Sequence, residues 1–225
     1  TDRETVNKAE KMKVCTCLNP LHTALSIFGC LLGYTLISDE MKDPALKKLV
    51  EGIGRIEGLP VVADPGIIDP NEFLDAVINV RLPNPFMPDT PQRIATDTSQ
   101  KLAVRFGETI KAYLRMDGAK VKRLKFIPLV FAGWLRYLTG IDDHGNEFSL
   151  SPDPMLGALC PIVKSVKPGD IERTKQILKP ILSNAALWGV DLIEIGVSDT
   201  VCGYFESMLS GPGAAYSTLT EAVSV

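Results

Sequence analysis

The chain has 225 residues, 45% hydrophobic and 23% charged, with a formal net charge of −3. This is globular composition, with enough apolar material for one sizeable core or two small ones. The acidic balance argues against nucleic acid as a partner, and the longest apolar run, residues 24–34, falls short of a membrane span.

In chain order the punctuation is helical. "NPLHTALSIFGCLLGYTLISDEM" reads as one helix, with Asn19 as N-cap and Pro20 at the first helical position, where its missing N–H costs nothing. "DPALKKLVEGIGRI" and "DPNEFLDAVINVRL" repeat the device with Asp-Pro at each start. In "DTSQKLAVRFGETIKAYLRMDG", Leu102, Phe106, Ile110 and Leu114 form an apolar stripe, and Asp117-Gly118 is expected to end the helix. "VKRLKFIPLVFAGWLRYLTG" is apolar nearly all round, which predicts a central helix bent or split by Pro128. The turn-rich "IDDHGNEFSLSPDP" follows, then helical segments "DIERTKQILKPILSNAALWG" and "VCGYFESMLSG".

Strand signals are few: "LPVVADPGIID" and "VDLIEIGVSD" read as short extended pieces. The expected class is therefore mainly α, multi-helical, with few short strands and one domain over residues 1–225. No G-x-G-x-x-G sits on a strand-to-helix turn, and no phosphate-binding loop motif is present. The Gly-rich "SGPGAAYS", Ser210 to Ser217, reads as a loop between helices.

One short stretch concentrates chemistry: "KMKVCTCLNPLHTAL" carries Lys13, Cys15, Cys17, Asn19 and His22. Cys15, Cys17 and His22 do not make a standard zinc spacing, so the thiols read as small core residues. The five cysteines are an odd count without framework spacing, which predicts reduced thiols in a cytoplasmic protein. His144, the other histidine, reads as part of an exposed turn. Two readings of the stretch remain. It is a capped core helix, or it is an active site in which Asn19 and His22 share one face of a helix start. The positive end of that helix would favour a developing oxyanion and a neutral His22, and the Asn19-Pro20 break would let Lys13 fold back as a base.

"ExMK" (Glu10 to Lys13) with "LNxxH" (Leu18 to His22) resembles the polyol-specific long-chain dehydrogenases, the mannitol dehydrogenase family. "NPFMPDTPQRIATDTSQKLAVRF" is similar to the family's R-I-x-x-D-x-S-Q-K stretch, and "WLRYLTGIDDHGNEFSLSPDP" to its later helix-plus-turn segment. The resemblance implies a helical C-terminal domain carrying substrate and catalytic groups. An N-terminal Rossmann domain holding NAD or NADP would lie outside this chain, which fits a first residue that is Thr1 rather than Met.

Carried to matching positions, the family roles make Lys13 the general base, Asn19 an oxyanion donor and His22 a partner to a substrate hydroxyl or carbonyl. Arg93 and Lys101 become cationic substrate contacts, and no zinc is implied. The sequence departs from the family where five residues, "VCTCL", separate Lys13 from Asn19 instead of four, where Pro20 replaces a common glycine, and at "RIATDT". The implied reaction interconverts a small-molecule sugar acid or polyol and its keto form. The paired cations favour D-mannonate and D-fructuronate, with mannitol or mannitol 1-phosphate as alternatives. A non-catalytic helical binding or dimerisation module is the reading from another class.

Overall fold

A computed structural model describes residues 2–224. Helix α1 (Arg3–Met12) opens at Asp2, whose carboxylate accepts from Thr5 N–H, and runs directly into a π-helical turn, Lys13–Cys17. Leu18 breaks the winding (φ −133°, ψ −65°) before α2 (Asn19–Leu32) begins. The whole Arg3–Leu32 run is long and apolar enough to cross a bilayer, contrary to the sequence expectation. However, 78% of its most apolar window is buried inside the fold, where it forms core.

The cap assignment also changes. Leu18 occupies the N-cap position without a side-chain bond, Asn19 is the first helical residue and Pro20 the second. Asn19 is therefore not consumed as a cap. Helix α2 ends at Gly33, whose φ of +79° is cheap only for glycine. The long helix expected through Met41 is thus two, α2 and a short α3 (Ile37–Glu40).

The Asp-Pro starts behave as read. Asp43 accepts from Ala45 and Leu46 N–H to open α4 (Pro44–Glu51), and Asp69 accepts from Asn71 and Glu72 N–H to open α5 (Pro70–Ala76). Both helices then loosen into π-helical turns, Gly52–Gly58 and Val77–Arg81. Thr90 caps the short α6 (Pro91–Ile94). A π-helical turn, Ala103–Gly107, leads into α7 (Glu108–Val121), which bends at Asp117 rather than stopping there. Helix α8 (Phe126–Tyr137) is buried along its whole length. Pro128 neither bends nor splits it, because it lies in the first turn, where no backbone bond is lost.

The rest comprises α9 (Leu156–Lys164), α10 (Ile171–Leu182), α11 (Ala185–Trp188), α12 (Ser198–Met208) and α13 (Ala214–Val223). The expected helix over 170–189 is split at Asn184, which caps α11. Half of "SGPGAAYS" is loop, and the rest starts α13. Neither segment read as extended forms a strand. Residues 59–61 are a 3₁₀ turn, and around 190–199 Asp191 accepts from Ile193 and Glu194 N–H to make turns. An isolated antiparallel bridge, Ile141 to Glu147, is the only β-pairing among the described residues. The mainly α expectation stands.

The core centres on α8, packed between α2 and α12. Phe106, Phe131, Trp134 and Trp188 interlock there, with Phe131 and Trp188 ring centroids 4.5 Å apart. Glu57 reaches from its π-helical turn to accept from Lys125, Phe126 and Ile127 N–H, giving α8 an N-cap from 68 residues or more away in sequence. Asp143, in the turn-rich segment, does the same for α13 through Ala215 and Tyr216 N–H. His144 is exposed in that turn, as expected.

Two contacts fix the segment that follows α6. Ser99 donates from both N–H (2.7 Å) and Oγ (2.6 Å) to Asp153, so two of the family-like sequence blocks meet in space. Gly107 packs directly on Trp188 and Gly189, where a Cβ would fall 2.3 Å from the Trp188 carbonyl oxygen.

Candidate active site

The start of α2 brings Asn19 and His22 to the floor of a cleft of about 300 Å³. Its walls come from three other places: Arg81 at the end of the π-helical turn after α5, Asp89 with Arg93 and Ile94 around α6, and Lys101 with Arg105 further on. Of the five residues singled out in the sequence, Asn19, His22, Arg93 and Lys101 therefore share one cleft. Lys13 is not among its lining residues. Its Nζ lies 5.8 Å from the centroid of the Phe73 ring on α5, within cation–π range.

The local winding explains how five residues fit between Lys13 and Asn19. Leu18 N–H donates to the Lys13 carbonyl (3.1 Å), an i→i+5 bond of the π-helical turn. Such a turn absorbs one additional residue without rotating the preceding helix by a further ~100°. Asn19 is half-buried, and its side-chain amide makes no hydrogen bond among the described residues. Its backbone carbonyl accepts from Thr23 Oγ1 (2.9 Å). The amide therefore stands free at the positive end of a 14-residue helix.

His22 is nearly buried, with 13% of its side chain exposed, and Nε2 lies 3.6 Å from Asp89 Oδ2, too far for a hydrogen bond. Burial pushes its pKa down to about 4, the Asp89 carboxylate opposing, and Arg81, Arg105 and Arg93 adding to the fall. The ring is neutral at neutral pH and can donate from one nitrogen and accept at the other.

The cations differ in their commitments. Arg93 is held by Asp89, the acceptor one helical turn before it. Lys101 donates to the carbonyls of Ile94 (3.1 Å) and Thr96 at the end of α6. Burial and the neighbouring Arg105 lower its pKa. Arg105 donates to Thr23 Oγ1, and burial pushes its pKa down to about 10, so it stays charged. The Arg81 side chain has no hydrogen-bond or ion-pair partner among the described residues. The cleft can thus offer neutral donors and acceptors at its floor, with four cations and one carboxylate on its walls.

Arg81, Asp89 and Arg105 were not singled out in the sequence. Two signals pointed towards them. Asp89 stands four residues before Arg93 and Arg105 four residues after Lys101, the spacing of one helix face. For Arg81 the sequence holds no comparable signal, since a reversal of the chain through "LPNP" brings it to the cleft.

The family model for the mannitol dehydrogenase C-terminal domain matches residues 5–206. The chain belongs to this family. Among relatives, a D-mannonate oxidoreductase of Thermotoga maritima is 63% identical over 223 residues, 99% of this chain and 41% of that protein. Mannitol dehydrogenase 2 of Saccharomyces cerevisiae is 34% identical over 154 residues, 68% of this chain and 30% of that one. The chain spans less than half the length of these relatives. Among solved structures, Pseudomonas fluorescens mannitol 2-dehydrogenase, in complex with NAD and D-mannitol, superposes with a TM-score of 0.81. At 24% identity it covers 98% of this chain and 41% of its own, so that likeness concerns the fold. Among the described residues of this mannitol dehydrogenase C-terminal domain, no group of three or more His, Cys, Asp or Glu side chains converges as a metal site would require.

Proposed function

We propose that this is the substrate-binding and catalytic domain of an NAD-dependent oxidoreductase interconverting D-mannonate and D-fructuronate. The observation that carries the reading is the cleft: a neutral His22 and a free Asn19 amide at a helix start, walled by Arg81, Arg93, Lys101 and Arg105. A substrate rich in hydroxyls with one anionic end satisfies both halves of it. The Thermotoga maritima relative, similar across 99% of the chain, is a D-mannonate oxidoreductase, which supports D-mannonate as the substrate.

The residue roles follow the resemblance. Lys13 takes the alcohol proton in oxidation and returns it in reduction. Asn19 donates to the substrate oxygen as charge develops there, helped by the α2 N-terminus. His22 orients an adjacent hydroxyl, and Arg93 and Lys101, each braced by neighbours, donate along the sugar chain. For Lys13 the side chain must leave the Phe73 face to meet the substrate.

NAD, when bound, supplies the hydride acceptor. The residues present do not fit it: the cleft lies at the small end of ligand pockets, roughly 300–1,000 Å³, and among the described residues no glycine-rich strand-to-helix turn cradles a pyrophosphate. We assign NAD, or NADP, mainly to an N-terminal domain outside this chain, and the residues of this chain that meet it are left unassigned. A cytoplasmic location and a single helical domain here belong to the same proposal.

The test is a substrate panel on the full-length protein with NAD. D-mannonate should be oxidised with a higher kcat/KM than D-mannitol or D-mannitol 1-phosphate. In the same assay Lys13→Ala should lose turnover far more than substrate affinity. A preference for either polyol substrate, or a Lys13→Ala variant with unchanged turnover, would reject the respective assignment.

A further inference from the structure

We infer that Arg81 is the residue that takes the substrate carboxylate, with the half-buried Arg105 as a second cation of the same cleft; this rests on the sugar-acid reading above. The resemblance places the cationic contacts at Arg93 and Lys101, but in the folded chain both are already engaged. The Arg93 guanidinium is neutralised by Asp89, and a second carboxylate would have to share it. The Lys101 ammonium has two of its three donors on the carbonyls of Ile94 and Thr96.

Arg81 is different. Its backbone is anchored, as the last residue of the Val77–Arg81 turn, with its carbonyl accepting from Asn84 N–H (3.3 Å) and the buried Leu82 next to it. Its side chain is exposed, lines the cleft and has no partner among the described residues. All five guanidinium donors remain available, in the fork that matches a carboxylate bidentately. It shares the cleft lining with His22, the ring that would orient the adjacent hydroxyl, and among the cations it adds most to the fall of the His22 pKa.

Arg105 adds the second half. The residue is half-buried, and its guanidinium's partner is a neutral hydroxyl, Thr23 Oγ1 on α2. A half-buried cation without a counter-ion is partly desolvated, and an arriving carboxylate relieves that cost. The exposed Arg81 and the half-buried Arg105 thus offer the cleft's two cations without an acidic partner to an anionic end, leaving Asn19 and His22 for the reacting carbon and its neighbour.

The experiment uses the full-length enzyme with NAD and D-mannonate, comparing wild type, Arg81→Gln and Arg81→Lys. Arg81→Gln should raise the KM for D-mannonate about 10- to 100-fold, the loss of a charged bidentate contact. The loss should fall on KM rather than kcat, and Arg81→Lys should recover part of it. Because Arg81 has no structural partner, its melting temperature should match wild type, which separates the effect from misfolding. A wild type active on D-mannonate with an Arg81→Gln KM equal to its own overturns the Arg81 assignment and leaves the proposed function standing. A wild type that neither binds D-mannonate by calorimetry nor oxidises it overturns both.

Discussion

His22 Nε2 lies 3.6 Å from a carboxylate oxygen of Asp89, yet the imidazole is neutral. Burial outweighs the attraction of Asp89, and three arginines add to it, so the pKa drops from 6.5 to about 4. The folded state then binds fewer protons than the unfolded chain between those values. Its stability contribution is full above pH 6.5 and is lost as pH falls through the window towards 4. The drop corresponds to roughly 3 kcal/mol. Replacing His22 by Asn should flatten the acid limb of stability against pH, measured by denaturant unfolding at pH 4.5, 5.5 and 7. An unchanged slope would show that the ring is protonated in the fold.

Glu40 presents the opposite case. It is fully buried, neither carboxyl oxygen has a hydrogen-bond partner among the described residues, and Oε1 would meet a Cβ added at Gly29 at 2.2 Å. Burial first, then the Asp43 carboxylate, raises its pKa well above 4.5, so it is carried as a neutral acid. A group with a raised pKa stabilises most below its unfolded value, and the contribution is lost as pH rises through the folded value. Glu40→Met removes the unpaired carboxyl at similar length and should stabilise by about 1–3 kcal/mol. The gain in melting temperature should be larger at pH 8 than at pH 5. A variant less stable than wild type at both would mean that Glu40 has a partner in solution.

Gly107 tests how the cleft wall is held. An added methyl would press on the Trp188 carbonyl and, at 2.9 Å, on Gly189 Cα, both backbone atoms that cannot turn aside. Gly107→Ala should cost about 1–3 kcal/mol by overpacking. It should also weaken D-mannonate binding, because the turn carrying Arg105 must shift. A normal melting temperature with normal binding would show that the contact is loose.

Much of this was legible in the sequence where the signal was local. Asp43-Pro44 and Asp69-Pro70 open helices because the caps act within three residues. The errors arose where the outcome depends on distant atoms. Asn19 looked like a cap, but the chain before it is already helical, so the amide is left free. The alternating apolar residues of 190–199 suggested a strand, and the Asp191 side chain captures the backbone in turns instead. In the candidate site, Asn19 and His22 stand out by spacing at one helix start. Arg93 and Lys101 stand out through the family resemblance, their own sequence context being that of exposed charges. Asp89 and Arg105 carry only their four-residue spacing to Arg93 and Lys101, and Arg81 joins them through the path of the chain between helices, which no short motif encodes.

In the proposed function the start of α2 holds the substrate oxygen as charge develops on it. Turnover of D-mannonate by full-length enzyme carrying Asn19→Ala addresses this most directly. The kcat should fall by about 100- to 1,000-fold, as for loss of one oxyanion donor, with KM changed little. A variant that turns over D-mannonate as fast as wild type would contradict it.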